Sequence, residues 1–436
     1  MQLTDLTKLV ARRDFSETKN SFEAIEFISD YLRSRENLTK ANRPKLLIIF
    51  RYIAGALGEA NAQSALEECV KNGLPLNEAF ALGMHAYRYT RDYDGAITGL
   101  KSLASSFGLT PYGAYLLGES CAASGRINDF VETATRAQSL LGTLEIGKRG
   151  PSAEWWSSLA LSMGLPNIAD GFIPLIEDAR MRQTISQRRA SFTRSLIDLP
   201  AIMVNLDRDT RKWNLASEAF QRTGYTDLSR YSAFDGSKLP LTVREQLVGD
   251  SAVSHQLKAG AIGCWLSHLG VWEIVANSQK DWVLVLEDDA FPFVGGSMID
   301  QTLSVLDSSE FAWANLRMAG VHGRSAFDCT QNAISIWDQL KLWDSRRRGV
   351  GTDGYLLSSR GAQYFLNMFK AEKILGHVDG QMASHLLEAT NAPINDVQAD
   401  MAKRKQRYPF KDQLSAISLN IPLVCDIDFG VSSTVH

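Results

Sequence analysis

The sequence predicts an all-α segment over about residues 1–190 followed by an α/β segment over about 198–436. Three observations carry this division. Up to about residue 190, apolar residues recur at helical spacing, as in Phe22, Ile25, Ile28 and Leu32, and proline is sparse. At Pro200 the texture changes: an apolar strand, Ala201 to Val204, runs into Asn205-Leu206-Asp207-Arg208 and then a helical stretch. Further on, five apolar residues, Trp282 to Leu286, end in Glu287, Asp288 and Asp289 before Phe291-Pro292. A short apolar run closed by a breaker reads as a buried strand of a parallel sheet.

Composition bounds what such a chain can do. At 436 residues it is too long for one ordinary core, so two domains are the default. Its 45% hydrophobic and 22% charged residues give a globular balance, which argues against disorder. A formal charge of −3 gives no general reason to expect a nucleic-acid partner. No apolar run approaches the roughly 18–20 residues needed to span a bilayer, so no transmembrane segment is expected. The opening MQLTDLTKLVARRDF mixes charges through its apolar positions and lacks a signal-peptide core. Five cysteines are scattered without a CxxC pair, so a reducing compartment, the cytoplasm, is expected.

Within the helical segment, LGMHAYRYTRDYDGA from Leu82 and LGESCAASGRINDFV from Leu117 lie 35 residues apart and read as two copies of one unit. They share Leu-Gly at the start, Arg91 with Arg126, and Asp94 with Asp129. A helix-turn-helix unit with a period of about 34 resembles a tetratricopeptide repeat. Gly83 and Gly118 would let paired helices approach closely, and stacked pairs would bury a shared face. After Thr143 the pattern loosens at GKRGPSAEWW. ARMRQTISQRRASFTRS, from Ala179, then holds Arg180, Arg182, Arg188, Arg189 and Arg194 with no acid. It reads as a solvated linker helix, with anionic lipid or an acidic partner as the functional alternative. The boundary is expected between about 180 and 198.

In the α/β segment, ligands of open sheets gather at strand carboxyl ends. Asn205 and Asp207, at the end of the first strand, are candidates for a nucleotide's base and ribose, and Arg208 or Arg211 for its phosphates. There is no GxGxxG, so a dinucleotide site is not expected. Side chains alternate along a strand, so Glu287 and Asp289 should share one face and Asp288 the other. Two acids on one face suit a divalent cation, which takes hard oxygen ligands and can clamp a diphosphate. Arg317, after the apolar stretch Phe311 to Leu316, could reach a phosphate, with a surface salt bridge as the alternative.

Taken in order, VNLDRDTRKW, RYSAFDG, GAIGCWLSHLGVWE and WVLVLEDDA resemble glycosyltransferase family 25. GTDGYLLSSRGAQYFL, HVDGQM and IPLVCDIDFGVSST continue the likeness, which covers about residues 198–432. The resemblance implies a GT-A-like, Rossmann-like fold, a nucleotide-sugar donor and a divalent metal, Mn²⁺ or Mg²⁺. Glu287-x-Asp289 would stand where such enzymes carry Asp-x-Asp. Asp289 would then be the leading metal ligand, with Glu287 or Asp288 holding ribose or metal-bound water. An inverting mechanism needs a carboxylate to deprotonate the acceptor hydroxyl. Asp379, in the family's Val-Asp segment, is the first candidate and Asp353 the second, although the family more often has a small residue at the Asp353 position. Against this stands the reading in which Asp379 caps a helix starting at Gly380.

Other residues carry weaker signals. His268 matches a family position, yet a lone histidine in an apolar helix is usually a core residue. Cys264 reads as packing. Arg346, Arg347 and Arg348 could bind the donor or an anionic acceptor. The basic run AKRKQRYPFK reads as a solvated tail segment, with a phosphorylated acceptor or anionic lipid head groups at the inner face of the cytoplasmic membrane as the alternative. The expectation is a cytoplasmic hexosyltransferase moving a sugar such as galactose or glucose from a donor, expected to be UDP-linked. The acceptor would be a hydroxyl on a surface oligosaccharide of lipopolysaccharide or capsule type. A protein acceptor docked by the helical segment is the alternative, as is an inactive scaffold that binds a partner there. The four acids Glu287, Asp288, Asp289 and Asp379 argue against the scaffold. Seven dispersed histidines argue against a two-metal phosphoesterase.

Overall fold

The structure is a computed structural model that describes residues 1–15, 22–90, 92–192, 196–249, 256–310, 312–315, 319–320, 334–335, 352–385, 416–418 and 422–427. Arg317, Arg346 to Arg348, Arg91, Arg194 and the basic run from Ala402 lie outside the described residues. The chain divides into two compact units, one formed mainly by Met1–Trp156 and the other mainly by Ser157–Ile173 and Asp178–Ile427.

The first unit is helical, as its spacing predicts. Its helices are α1 (Leu3–Arg12), α2 (Phe22–Arg33), α3 (Arg43–Tyr52), α4 (Glu59–Lys71), α5 (Leu76–Thr90), α6 (Tyr93–Phe107), α7 (Pro111–Ala123) and α8 (Ile127–Thr143). The next helix, α9 (Ser152–Ser162), begins in this unit. The sequence punctuates them clearly. Asp92 and Thr110 accept the N–H groups of Gly95 and Gly113 as N-caps of α6 and α7, and Pro111 opens α7. The two similar segments occupy equivalent places, with Leu82 and Leu117 buried in α5 and α7. Arg126 bridges Asp94 at 3.6 Å and Asp129 at 2.5 Å. Gly118 is small for a packing reason: a Cβ there would lie 2.1 Å from the Trp156 ring. Gly118→Ala should therefore cost about 1–3 kcal/mol through overpacking, read as a lower urea midpoint at unchanged slope.

The second unit continues with α10 (Pro166–Phe172), α11 (Ala179–Ala190), β1 (Ala201–Asn205), α12 (Thr210–Thr223), β2 (Leu228–Ser232), α13 (Leu241–Leu247) and α14 (Ala259–Ala276). It goes on with β3 (Val283–Glu287), β4 (Ala290–Pro292), α15 (Gly296–Val305), β5 (Trp313–Asn315), β6 (Ala319–Gly320) and β7 (Ile334–Ser335). The remaining elements are β8 (Gly354–Leu357), α16 (Ser359–Glu372), α17 (Val378–Ser384), β9 (Ala416–Ser418) and β10 (Val424–Asp426). The main sheet runs β2-β1-β3-β8-β5-β9-β7, and a small one runs β4-β10-β6. β3 is buried over Val283 to Leu286, as its apolar run predicts, but the sheet is mixed rather than parallel. β3 pairs parallel with β1 and antiparallel with β8. An apolar run reports burial on both faces and is silent on the direction of its neighbours.

Trp265 and Trp272 of α14, Trp313, Tyr355 and Phe365 form the centre of one core cluster on this sheet. Among the described residues α14 is the one helix long and apolar enough to cross a membrane, and half of it is buried within the protein. A single half-buried helix of this kind makes no firm membrane span, in keeping with the expectation. The Ser267, His268 and Glu273 side chains interrupt the run in sequence without lowering its mean hydropathy far. The linker reading of the arginine-rich stretch is corrected. Arg188 on α11 is 2% exposed. It donates to the carbonyls of Phe293 and Ser158 and to Ser162 Oγ, and lies 3.9 Å from the centre of the Phe293 ring. Its neighbour Arg189 forms a bidentate pair with Asp170 at 2.7 Å. The helix is thus docked by its cations, while Arg180 and Arg182 remain exposed.

Candidate functional site

The sheet pairing assembles the acids. β1 and β3 run side by side in the same direction, with Val204 opposite Glu287, so their carboxyl ends coincide. β8 runs the other way, so its beginning meets the end of β3: Leu286 faces Gly354, and the Glu287 N–H donates to the Asp353 carbonyl at 2.9 Å. Thr352 and Asp353 are thereby delivered to the acidic turn. Carboxylate oxygens of Glu287, Asp289 and Asp353 lie within 4.8 Å of one another. Asp288 points elsewhere and is held by Asn205 Nδ2 at 2.8 Å and Lys212 Nζ at 3.0 Å.

These contacts set the charge states. Burial, and then the Glu287 charge, push Asp289 up to about 7. Asp353 is driven well above the usual carboxylate range by burial and by Glu287, Asp289 and Asp426. Burial works against the Glu287 charge too, but His268, Thr352 and Lys212 outweigh it and hold that carboxyl below its ordinary value. Asp288 is raised by burial, which Lys212 and Asn205 oppose. Oδ1 of Asp289 is shielded from solvent and has no hydrogen-bond partner. Three converging carboxylates with an orphaned oxygen fit a hard divalent cation, and the residues present suit that group.

Behind Glu287 stands a buried relay. Trp272 Nε1 donates to the Tyr355 hydroxyl at 2.8 Å, and that hydroxyl lies 2.8 Å from His268 Nδ1. An indole can only donate, so the Tyr355 proton is free to go to Nδ1. His268 then carries its own proton on Nε2, which faces Glu287 Oε1 at 3.4 Å. The same carboxylate oxygen accepts from Thr352 Oγ1 at 2.5 Å. His268 is fully buried in the core, as its apolar helix predicts, and it also reaches Glu287. Tyr355→Phe should cost about 1–3 kcal/mol, because it leaves the Trp272 N–H and a histidine nitrogen without partners. Chemical denaturation measures this.

A cavity of about 290 Å³ opens beside the acids, between the end of β1 and the start of α14. Asn205, Arg208, Ser237, Lys258, Cys264 and Glu287 are among its lining residues. Its wall is built on close approach: a Cβ at Gly236 would lie 1.7 Å from the Ala259 carbonyl oxygen, and one at Gly263 would lie 2.4 Å from that of Phe234. Only glycines allow the 234–236 loop to press onto the first turns of α14.

The structure brings some expected residues together and separates others. Asn205 is at the site but is committed to protein partners, donating to Asp288 and the Asp209 carbonyl and accepting from Arg230. Asp207 is exposed, paired with Arg230 at 3.0 Å and Ser232 at 2.9 Å, and does not line the cavity. Arg208 lines the cavity and donates to Asp235. Arg211 is exposed on α12 and stands outside the lining. Asp379 lies in the first turn of α17, which begins at Val378, so it is not the cap of a helix starting at Gly380. Its Oδ1 accepts the Gly380 N–H at 2.7 Å, and burial, with Glu287 adding, raises its pKa. Lys212 and Thr352 escaped sequence reading. Lys212 sits one position past Arg211 in the first turn of α12, where a helix leaving β1 turns back over the strand end.

Residues 198–382 match the family model described as Glycosyltransferase family 25 (LPS biosynthesis protein). Over 175 residues the chain is 34% identical to a protein of Acanthamoeba polyphaga mimivirus that bears the name of a glycosyltransferase, covering 39% of this chain and 53% of that one. Over 118 residues it is 31% identical to a glycosyltransferase 25 family member of Anopheles gambiae, covering 25% of this chain and 20% of that one. The chain thus spans about half the length of the first relative and a fifth of the second. The matched stretch runs from the approach to β1 through α17's first turn and so contains every acid of the β3 turn, Asp353 and Asp379. Over residues 198–382, this chain is therefore similar to glycosyltransferase family 25.

Proposed function

We propose that the second unit is a metal-dependent glycosyltransferase that moves a hexose from a nucleotide-sugar donor, UDP-linked, to an acceptor hydroxyl with inversion. The observation that carries this is the convergence of Glu287, Asp289 and Asp353 beside a cavity at the carboxyl ends of β1 and β3. The nucleoside would occupy that cavity. Arg208 and Lys258 on its lining are suited to the diphosphate, once Arg208 exchanges Asp235 for phosphate. Asp289, Asp353 and Glu287 would hold the cation, which when bound supplies neutralisation of the departing diphosphate. Asn205 and Lys212 keep Asp288 turned away from that trio, and His268 and Thr352 orient Glu287 toward it.

Asp353 belongs with the cation ligands in this reading, which leaves Asp379 as the base. Asp379 stands apart from the trio, and its raised pKa makes it the better proton acceptor once ionised. The family description favours a lipopolysaccharide-type acceptor.

A protein acceptor is the second reading, and a specific observation favours it. In the first unit the exposed Arg13 and the half-buried Arg51 lie 5.0 and 4.8 Å from the centre of the Tyr89 ring, a pair of cations that would suit a docked segment. Tetratricopeptide-like stacking of α5–α8 would serve the same role.

The test is nucleotide release from a panel of UDP-, GDP-, CMP- and dTDP-sugars with Mn²⁺. One nucleotide should be released slowly and chelation should stop it. Release that persists in chelator would remove the metal from the account.

A further inference from the structure

We infer that Cys264, His268 and Glu287 form a second metal site, one that takes a zinc-class cation and, by claiming Glu287, competes with the three-carboxylate site. The three ligand atoms, Cys264 Sγ, a His268 ring nitrogen and a Glu287 oxygen, lie within 4.8 Å of one another. Cys264 and His268 are four residues apart on α14, which sets them one above the other on one face. Glu287 reaches the same point from the end of β3.

The ligand set is the kind that soft and borderline cations choose. Thiolate and imidazole select zinc over magnesium or manganese, and zinc outcompetes manganese for a given mixed site. Bond lengths of about 2.0–2.3 Å make the edges of a tetrahedron about 3.3–3.8 Å long. The His268 Nε2 to Glu287 Oε1 separation of 3.4 Å already matches such an edge. Three protein ligands leave the fourth position open.

An outer shell is in place. His268 Nδ1 faces the Tyr355 hydroxyl, and Trp272 fixes that hydroxyl from behind. Tyr355 oxygen has a second lone pair, so it accepts Nδ1–H when Nε2 is given to the metal. Thr352 holds the Glu287 oxygen. An entry path exists as well, since Cys264 and Glu287 both line the 290 Å³ cavity. The cation displaces one proton, from the Cys264 thiol, to solvent. Burial first, and then the charges of Glu287, Asp379, Asp289 and Asp353, keep that thiol protonated until a cation arrives, and the same carboxylates attract the cation that displaces its proton.

Competition follows from geometry. Glu287 is common to both ligand groups, so a cation on Cys264 and His268 takes an oxygen from the trio with Asp289 and Asp353. The inhibition expected from this rests on the function proposed above, whereas the binding does not.

The experiment uses the full-length, metal-free protein and Co²⁺ as a visible substitute for Zn²⁺. Wild type should develop the near-ultraviolet thiolate-to-cobalt absorption, and Zn²⁺ should bleach it. Cys264→Ser should lose the band and weaken Zn²⁺ by at least about 10–100-fold, since removing a ligand costs no less than removing an outer-shell partner. Asp289→Asn, which spares all three ligands, should keep the band. Cobalt bound without a thiolate band, or a band that survives in Cys264→Ser, overturns the inference. Either result leaves the carboxylate site standing. That site is judged separately, by whether Asp289→Asn loses Mn²⁺ in electron paramagnetic resonance titrations.

Discussion

Asp289→Asn is expected to lower metal-dependent turnover by about 10²–10³-fold, the usual cost of removing one group that stabilises charge in the transition state. The same substitution should raise the melting temperature of the metal-free protein at pH 8 by a few degrees. The two effects share a cause. In the folded protein, burial and the Glu287 charge hold the Asp289 pKa at about 7, while an unfolded aspartate titrates at about 3.9. The folded state therefore binds this proton more tightly. Stability falls as pH rises from about 4 to 7, and the loss is complete above that window. Asparagine removes the titration, so the gain should be largest at pH 8 and vanish toward pH 4. Mn²⁺ should stabilise wild type at pH 8 and leave the variant unmoved. Thermal melts at the two pH values, with and without Mn²⁺, check all of this. A variant that melts lower than wild type at pH 8 would mean that Asp289 holds the fold rather than a cation.

Asp379→Asn should reduce kcat by about 10²–10⁴-fold, the range for loss of a positioned base, with Mn²⁺ affinity retained. Asp353→Asn should do the opposite and weaken Mn²⁺ first. The distinction follows from position. Asp353 meets Glu287 and Asp289 because β8 begins where β3 ends, whereas Asp379 rides on α17 and is tied to the Gly380 N–H. Burial raises the Asp379 pKa, so wild-type kcat should fall as pH drops through a value above the ordinary aspartate range, and the variant should lose that limb. If Asp379→Asn loses Mn²⁺ while Asp353→Asn keeps it, the two roles are exchanged.

What could be seen in the sequence was what depends on one strand or one helix. Alternation along the strand is a local reason for grouping Glu287 with Asp289. β3 ends at Glu287, however, and Asp288-Asp289 form the turn into β4, so it is the turn that brings the Glu287 and Asp289 oxygens together while Asp288 faces Asn205 and Lys212. The helical spacing of the first 150 residues is local too. What escaped was pairing. Nothing in Trp282–Leu286 says that its second neighbour runs antiparallel, and that direction alone brings Thr352 and Asp353 to the acids. Lys212 was passed over for Arg211 because charge on a helix says little about which way the helix turns after the strand. Arg188 looked like one of several solvated arginines. Its burial depends on the carbonyls of Phe293 and Ser158, 105 and 30 residues distant respectively, which no short window of sequence contains together. Cys264 read as packing for the same reason: its fourfold spacing from His268 is visible, but the carboxylate that completes the group comes from another element.

The most direct test is calorimetric titration of UDP into the metal-free protein, with Mn²⁺ present and absent, repeated for Asp289→Asn. UDP should bind wild type with Mn²⁺ and much more weakly without it, and the variant should not respond to the metal. UDP binding of equal strength in all three conditions, or in none, would contradict the assignment of the β3 turn and its cavity as a cation-dependent donor site.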